Sequence, residues 1–309
     1  MHLLTDDTFQ KLKDEDLETL VHLDDHGLLI GPDETLDEFI KRLQTLKKRI
    51  SELNELEDKL EIYDLSLKID NRIPPDVFKE CEDVNESLYK FKIDWVPGFY
   101  TNESMGLLFA GGAIYSYDDF FPVFIIREAY KEQKKWWIYP RKELMAHELT
   151  HIAHVGYEVD NFEELFAYQT SESAFRRIMG GVFRTTRDTY LLLGSVMFAS
   201  LSQIINTLVR PPEEAWHFPM PQIFIFTGLV LVYLSITYGL TMGKFKKAKK
   251  RVAEYFSEDV AMAVLFRCDE TEIAEIASIK AGTLEEWLKN KQKKSVRWRV
   301  TLKKFNRLQ

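Results

Sequence analysis

The chain has 309 residues, 45% of them hydrophobic and 29% charged, and a formal net charge of -8. That composition supports a sizeable folded core and excludes a chain too polar to collapse. The mild acidic balance excludes a dedicated nucleic-acid binder. The two cysteines, Cys81 and Cys268, are too few and too far apart for a disulfide ladder or a thiol zinc site.

The first residues, Met1 to Asp7, are acidic where a cleavable signal would be basic, so no targeting segment is expected. Residues 1–65 read as helical. Asp33-Glu34-Thr35-Leu36 opens a run in which Leu36, Phe39, Ile40, Leu43, Leu46 and Ile50 recur at helical spacing, and Leu53, Leu56 and Leu60 extend the stripe. Such a stripe is a packing face or, alternatively, a partner-binding coiled coil. Residues 66–138 are mixed. Pro74-Pro75 breaks the chain, and Gly111-Gly112 precedes Ala113-Ile114-Tyr115. The apolar run from Phe120 to Ile126 is rich in β-branched and aromatic residues and predicts a strand. Trp136-Trp137-Ile138-Tyr139 predicts a second short extended piece before Pro140.

From Pro140 to about Met179 the pattern is helical and carries His147-Glu148-Leu149-Thr150-His151, an HExxH motif. Pro140 suits the helix start and Gly156 its stop. His147 and His151 are four apart, so both imidazoles project from one helix face and reach one metal ion. Glu148 is rotated about 100° from His147, beside the metal, where it can take a proton from bound water. Zinc fits two imidazoles that need one further protein ligand and leave a position open for water. Bound zinc lowers the pKa of that water to about 7 and polarises a scissile carbonyl.

Downstream lies Asn161-Phe162-Glu163-Glu164-Leu165-Phe166-Ala167-Tyr168. Here the chain resembles the gluzincins, the thermolysin-like peptidases with a glutamate ligand on a second helix. Several of them carry it in a pattern like Glu-x-Phe-Ala, which Glu164-Leu165-Phe166-Ala167 matches. The resemblance implies that Glu164 completes the zinc site with His147 and His151, with Glu163 as the alternative ligand. It also implies that Ala167 lets the second helix come close. The resemblance covers about residues 140 to 175, and the interval from His151 to Glu164 is shorter than in thermolysin, which implies a compact site. The metzincin pattern fails, because His154 and Tyr157 stand where its glycine and third histidine would fall. His154 is either a supporting group at the metal or an ordinary helix-end histidine. Tyr157 and Tyr168 are candidate oxyanion donors or core residues. The run from Phe121 to Ile126 is either the strand that pairs with extended substrate in gluzincins or a core strand.

Two uncharged runs follow, Tyr190 to Val209 and Pro221 to Gly243. Some 20 helical residues span roughly 30 Å, the thickness of a bilayer's hydrocarbon core. The first run carries Ser200, Ser202, Gln203, Asn206 and Thr207, which suit hydrogen bonds across a helix pair. A buried hairpin in a soluble core is the other reading. Arg176, Arg177, Arg184 and Arg187 precede the first run. Lys244, Lys246, Lys247, Lys249, Lys250 and Arg251 follow the second, while the loop from Arg210 to His217 has one Arg. Basic flanks stay in the cytoplasm. The catalytic domain and both termini are therefore expected on the cytoplasmic face of an inner or plasma-type membrane, with Trp216 and Tyr233 at an interface or within the helix pair. The basic end, from Lys289 through Arg297 and Lys304 to Arg307, fits a solvated face, an anionic lipid surface or a nucleic-acid patch.

The expected fold is α+β and mainly helical. It comprises a helical N-terminal region (1–65), a zincin-like catalytic domain (66–188), a transmembrane helical hairpin (189–243) and a cytoplasmic basic helical tail (244–309). The expected function is a membrane-anchored zinc-dependent peptidase that acts on a peptide or protein substrate, with the lipid bilayer as its other partner and no specific nucleic acid. Glu148 is the expected general base, passing its proton to the leaving amine. The alternative is a non-catalytic membrane-tethered scaffold or sensor with a structural or vestigial zinc site.

Overall fold

The computed structural model describes residues 2–62, 64–103, 105–106, 109–115, 120–157, 161–183, 185–209, 220–280 and 282–306. Among these residues helix dominates, and the strands are short. Helix α1 (Asp6–Lys13) is capped by the Thr5 side chain, and α2 (Leu17–Asp25) by that of Asp16. Helix α3 (Leu36–Glu55) opens on a capping box between Thr35 and Glu38 and buries Phe39, Ile40, Leu43, Leu46, Ile50 and Leu53. The stripe is thus a packing face. Its expected extension is not helical: Leu56 lies beyond the last turn, and Leu60 belongs to β1 (Lys59–Ile62), paired antiparallel with β2 (Leu65–Lys68).

Helix α4 (Pro75–Tyr89) starts at the proline pair, where a missing N–H costs nothing. A three-stranded sheet follows, built from β3 (Gly98–Tyr100), β4 (Gly111–Ile114) and β5 (Val123–Ile126) in the order β3-β5-β4. Strand β5 is buried at every residue, as its unbroken apolar run predicts for a strand covered on both faces. Both its edges are taken, by parallel β3 and antiparallel β4. It therefore has no free edge for substrate, and the core-strand reading holds. The small hairpin of β6 (Lys135–Trp136) and β7 (Tyr139–Pro140) turns through Trp137 in the left-handed region, at φ 50°.

Helices α5 (Arg141–Ala153), α6 (Glu163–Gln169) and α7 (Ala174–Val182) lead to α8 (Thr186–Val209) and α9 (Met220–Tyr255), which lie side by side. Arg187–Val209 and Phe224–Tyr255 are long and apolar enough to cross a membrane. Most of their apolar side chains are exposed, unlike those of a hairpin buried in a soluble core. The connecting loop with Arg210 and Trp216, and the residues Arg184 and Arg307, lie outside the described residues. Helix α9 runs past Gly243 without a break, and there Phe245, Ala248 and Val252 enter the globular core.

The 244–309 stretch closes the molecule rather than trailing from it. Helices α10 (Glu258–Leu265), α11 (Glu270–Ser278), α12 (Leu284–Lys294) and α13 (Val296–Asn306) place Phe266, Trp298 and Phe305 in one core with Leu4, Leu23 and Tyr89. Three of its basic residues, Arg267, Arg297 and Lys304, are buried in the fold, while Lys289, Lys293 and Lys294 stay exposed. Arg297 pairs with Glu272 at 2.8 Å, Arg299 with Glu15 at 3.0 Å and Lys303 with Glu18 at 3.0 Å. The physical reason is the apolar residues between them: Trp298, Val300 and Phe305 must be buried, and that carries Arg297 and Lys304 inward with them.

One buried ion cluster joins the two ends of the chain. Asp24 accepts from Arg267 Nε at 2.8 Å, Arg267 Nη2 at 2.5 Å and Lys304 Nζ at 2.6 Å. Burial would raise the Asp24 carboxyl, but Arg267 and Lys304 hold it down to about 2. Burial also pulls Lys304 down, so the permanently charged Arg267 is the partner that keeps Asp24 ionised. The Asp24 pKa lies below its ordinary 3.8, so its contribution is full above that pH and is lost as pH falls toward 2. Asp24→Asn leaves Arg267 buried without its counter-charge, and the expected loss is about 3–5 kcal/mol by denaturant titration in detergent.

Candidate metal centre

Helix α4 positions the two helices that carry the site. Asn85, buried, donates Nδ2 to the Ala146 carbonyl at 3.1 Å and to Thr150 Oγ1 at 2.9 Å, both on α5. One turn later the Tyr89 hydroxyl donates to the Phe166 carbonyl on α6 at 2.5 Å. Helix α5 starts at Pro140 as predicted, but it ends at Ala153, short of Gly156. On α6, Leu165, Phe166 and Ala167 are buried.

The structure brings His147, His151 and Glu164 to one point. The two Nε2 atoms are 3.2 Å apart. Glu164 Oε2 lies 3.8 Å from His147 Nε2, and Glu164 Oε1 lies 3.8 Å from His151 Nε2. All three donors fall within 4.8 Å of one another. A tetrahedral ion with arms of about 2.1 Å separates its ligand atoms by roughly 3.4 Å, so the set could hold a metal ion with small adjustments. Glu163 sits behind His151 instead: its Oε1 is 2.8 Å from His151 Nδ1. A carboxylate there fixes the ring's tautomer and aims Nε2 inward. The Ala167 backbone acts on His147 in the raising direction, so α6 influences both imidazoles.

Burial and charge set the titration of the group. Burial pulls His147 well below its ordinary range, and the neighbouring His151 adds to that. Burial acts the same way on His151, but the Glu163 hydrogen bond and the carboxylates of Glu148 and Glu164 outweigh it and raise His151 to about 9. Burial raises Glu164. Burial also raises Glu148, to about 7, against the lowering influence of His151 and of the Ala113 N–H.

Glu148 turns away from the three ligands toward strand β4. Its Oε2 accepts from the Ala113 N–H at 3.0 Å, so β4, not β5, is the strand that meets the site. Because that N–H points at Glu148, this side of β4 faces the cleft. A cavity of about 230 Å³ opens there, lined by Phe109, Gly111, Tyr139, His147, Glu148 and Tyr168, among others. Gly111 is required by space: a Cβ there would fall 2.7 Å from the Ile125 carbonyl oxygen. Arg176 closes one wall. It donates to Glu143 at 2.5 and 2.8 Å, to Ser171 Oγ at 2.9 Å and to the Ile138 carbonyl at 3.0 Å.

The two tyrosines part company. The Tyr168 ring packs 4.6 Å from that of His147 in the cavity wall. Burial, with Glu164 next, pushes its phenol up to about 12, so it stays a donor. Tyr157 lies in the core, where its hydroxyl donates to the Ile30 carbonyl at 2.8 Å. His154 is a core residue too, stacked between Tyr157 and Phe266 with Nε2 on the Phe266 carbonyl at 2.8 Å. Burial lowers it to about 3, so it is neutral.

Glu163, Asn85 and the β4 edge were not assigned these roles from sequence. Only the Gly111-Gly112 pair, a mark of close backbone approach, pointed to β4. No family model, no curated protein and no solved structure matches the chain.

Metal binding is expected to release the His151 proton. That proton is held up to about 9 rather than the ordinary 6.5, so apparent affinity for zinc rises about tenfold per pH unit until pH approaches 9. Calorimetric titration in buffers of different ionisation enthalpy measures the slope. Glu163→Gln moves the steep range to lower pH and weakens affinity by about 10–100-fold. A flat profile in the parent chain contradicts the assignment.

Proposed function

We propose that the chain is a membrane-anchored zinc-dependent peptidase of gluzincin-like type. The observation that carries this reading is the convergence of His147, His151 and Glu164 on one point. Glu148 is set beside them, not among them, in the wall of a cleft. A purely structural zinc site closes its coordination with a fourth protein ligand, whereas three ligands with an adjacent carboxylate leave room for chemistry. This favours the peptidase over the scaffold or sensor.

His147, His151 and Glu164 would hold the ion, and zinc bound there would supply Lewis acidity and a water of lowered pKa. Glu148 takes the proton of the attacking water and returns it to the leaving amine, held in place by the Ala113 N–H. An extended peptide adds to β4 along the edge that faces the cleft. Tyr168 donates to the oxyanion that develops on the carbonyl. Support for a zincin-like domain at 66–188 lies in the β4 edge, the HExxH helix and the glutamate helix packed in sequence around the cleft.

The anchor reading rests on α8 and α9. Helix α8 leaves the globular body and α9 returns to it, which puts the body on one side of a bilayer. The basic residues Lys244 to Arg251 at the return support a cytoplasmic side for it, since basic flanks are retained there.

The test uses purified protein, zinc and casein. Glu148→Gln is expected to keep bound metal and lose about 10²–10⁴ in cleavage rate. His147→Ala is expected to lose the metal itself. Tyr168→Phe is expected to lower kcat by about 10² with KM little changed. Full activity in Glu148→Gln would falsify the mechanism.

A further inference from the structure

Helix α7 carries its small residues inward and its large apolar residues outward. Phe175, Ile178 and Met179 are 71%, 53% and 39% exposed, and their spacing of three and four puts them on one face. The opposite face is pressed into the molecule at Gly180 and Gly181. A Cβ on Gly180 would fall 2.1 Å from the Tyr168 ring, and one on Gly181 would fall 2.8 Å from Tyr238 of α9. Helix α7 is therefore wedged between the metal centre and an apolar span.

The exposed face has a neighbour. The tip of the β6–β7 hairpin presents Trp137 and Ile138, 61% and 45% exposed. Arg176 of α7 ties the two together through the Ile138 carbonyl at 3.0 Å. Two aromatic side chains, Phe175 and Trp137, and three aliphatic or thioether ones, Ile178, Met179 and Ile138, are thus exposed on adjoining elements, a concentration that scattered apolar residues of an ordinary exterior do not show. Exposed Lys134 and Lys135 precede the tip, and exposed Arg187 follows α7. Apolar groups rimmed by cations suit anionic headgroups over acyl chains.

Depth agrees with that occupant. Tyr238, which touches α7, lies six residues before Lys244, the first charge after the span. At 1.5 Å per residue this is about 9 Å along α9. Amphipathic helices bury their apolar face about 5–10 Å into the headgroup–acyl boundary.

We propose that the Phe175–Ile178–Met179 face of α7 and the Trp137–Ile138 tip lie in the headgroup–acyl boundary of the bilayer. The cleft beside them then receives its substrate at the membrane surface, as the juxtamembrane segment of a membrane protein. Tyr139 and Arg176, adjacent to these residues, line the cleft and bring its mouth to that level. The proposal rests on the membrane-anchored peptidase reading.

The full chain is labelled with an environment-sensitive fluorophore at single cysteines introduced by Phe175→Cys, Ile178→Cys, Trp137→Cys, Val196→Cys on α8 or Lys48→Cys on α3, Cys81 and Cys268 being buried. It is reconstituted in vesicles of neutral and anionic phospholipid with nitroxide-bearing acyl chains. Labels at 175, 178 and 137 are expected to be blue-shifted and quenched most by shallow nitroxides, the label at 196 by deep ones, and the label at 48 by neither. If 175, 178 and 137 match 48 while 196 is quenched, the anchor stands and the proposal falls. If 196 is also unquenched, the anchor reading itself fails, and the proposal with it. Cross-linking between two copies at 175 in place of quenching assigns the face to self-association and also overturns the proposal.

A second arm compares a peptide tethered to the vesicle by an acyl chain with the same peptide free. The double variant Phe175→Ser, Ile178→Ser is expected to lose tenfold or more of the tethered rate while the free rate is unchanged. An unchanged tethered rate overturns the substrate half.

Discussion

Four titratable side chains, His147, Glu148, His151 and Glu164, are crowded together in a partly buried site, where such groups need a counter-charge or a hydrogen-bond partner. That requirement organises the middle of the molecule. His151 is answered by Glu163, His147 by the Ala167 backbone and Glu148 by the Ala113 N–H. Each answer comes from a different direction, so the site depends on α6 and β4 being fixed relative to α5 at once. Helix α4 supplies that fixing through Asn85 and Tyr89, each of which bonds a backbone carbonyl that no side-chain substitution on α5 or α6 removes. The Asp24–Arg267–Lys304 cluster then locks the C-terminal helices over α4, with Arg267 also donating to the Tyr89 carbonyl at 3.0 Å. The support of the site thus reaches from residue 24 to residue 304.

The parts of this arrangement that were legible in sequence are the local ones. The capping box at Thr35, the start of α5 at Pro140 and the shared face of His147 and His151 each depend on residues a few positions apart. The choice between Glu163 and Glu164 stayed open, although helix geometry separates their roles. Adjacent residues on a helix point about 100° apart, so only one of them can meet the histidine pair end-on while the other reaches behind it. What was not legible depends on distant partners. Nothing near His154 announces that Phe266 will stack on it at 4.3 Å, 112 positions away along the chain. Lys289, Lys293 and Lys294 of the basic run are exposed as a solvated face requires, but the burial of Arg297 and Lys304 in the same run was not legible, because Asp24 lies at the other end of the chain. Strand β5 looked like a candidate edge because pairing on both its sides is a property of topology and not of its own residues.

Helix α7 links the two halves of the functional reading. From the apolar helix α9 to the candidate metal ligands there is an unbroken line of packing: Tyr238 against Gly181, Gly180 against Tyr168, and the Tyr168 ring against His147 at 4.6 Å. The two glycines make the line short. A methyl group at either position would need its aromatic neighbour to move, so a displacement of α9 relative to α7 reaches Tyr168 with little slack to absorb it. Helix α9 runs from the apolar segment into the core without a break, so span and core move together. On the proposed reading, the oxyanion donor Tyr168 is braced through α7 against one of the two helices long and apolar enough to cross a membrane. On that same reading, any shift of α9 would reach this phenol through contacts that are steric and not electrostatic.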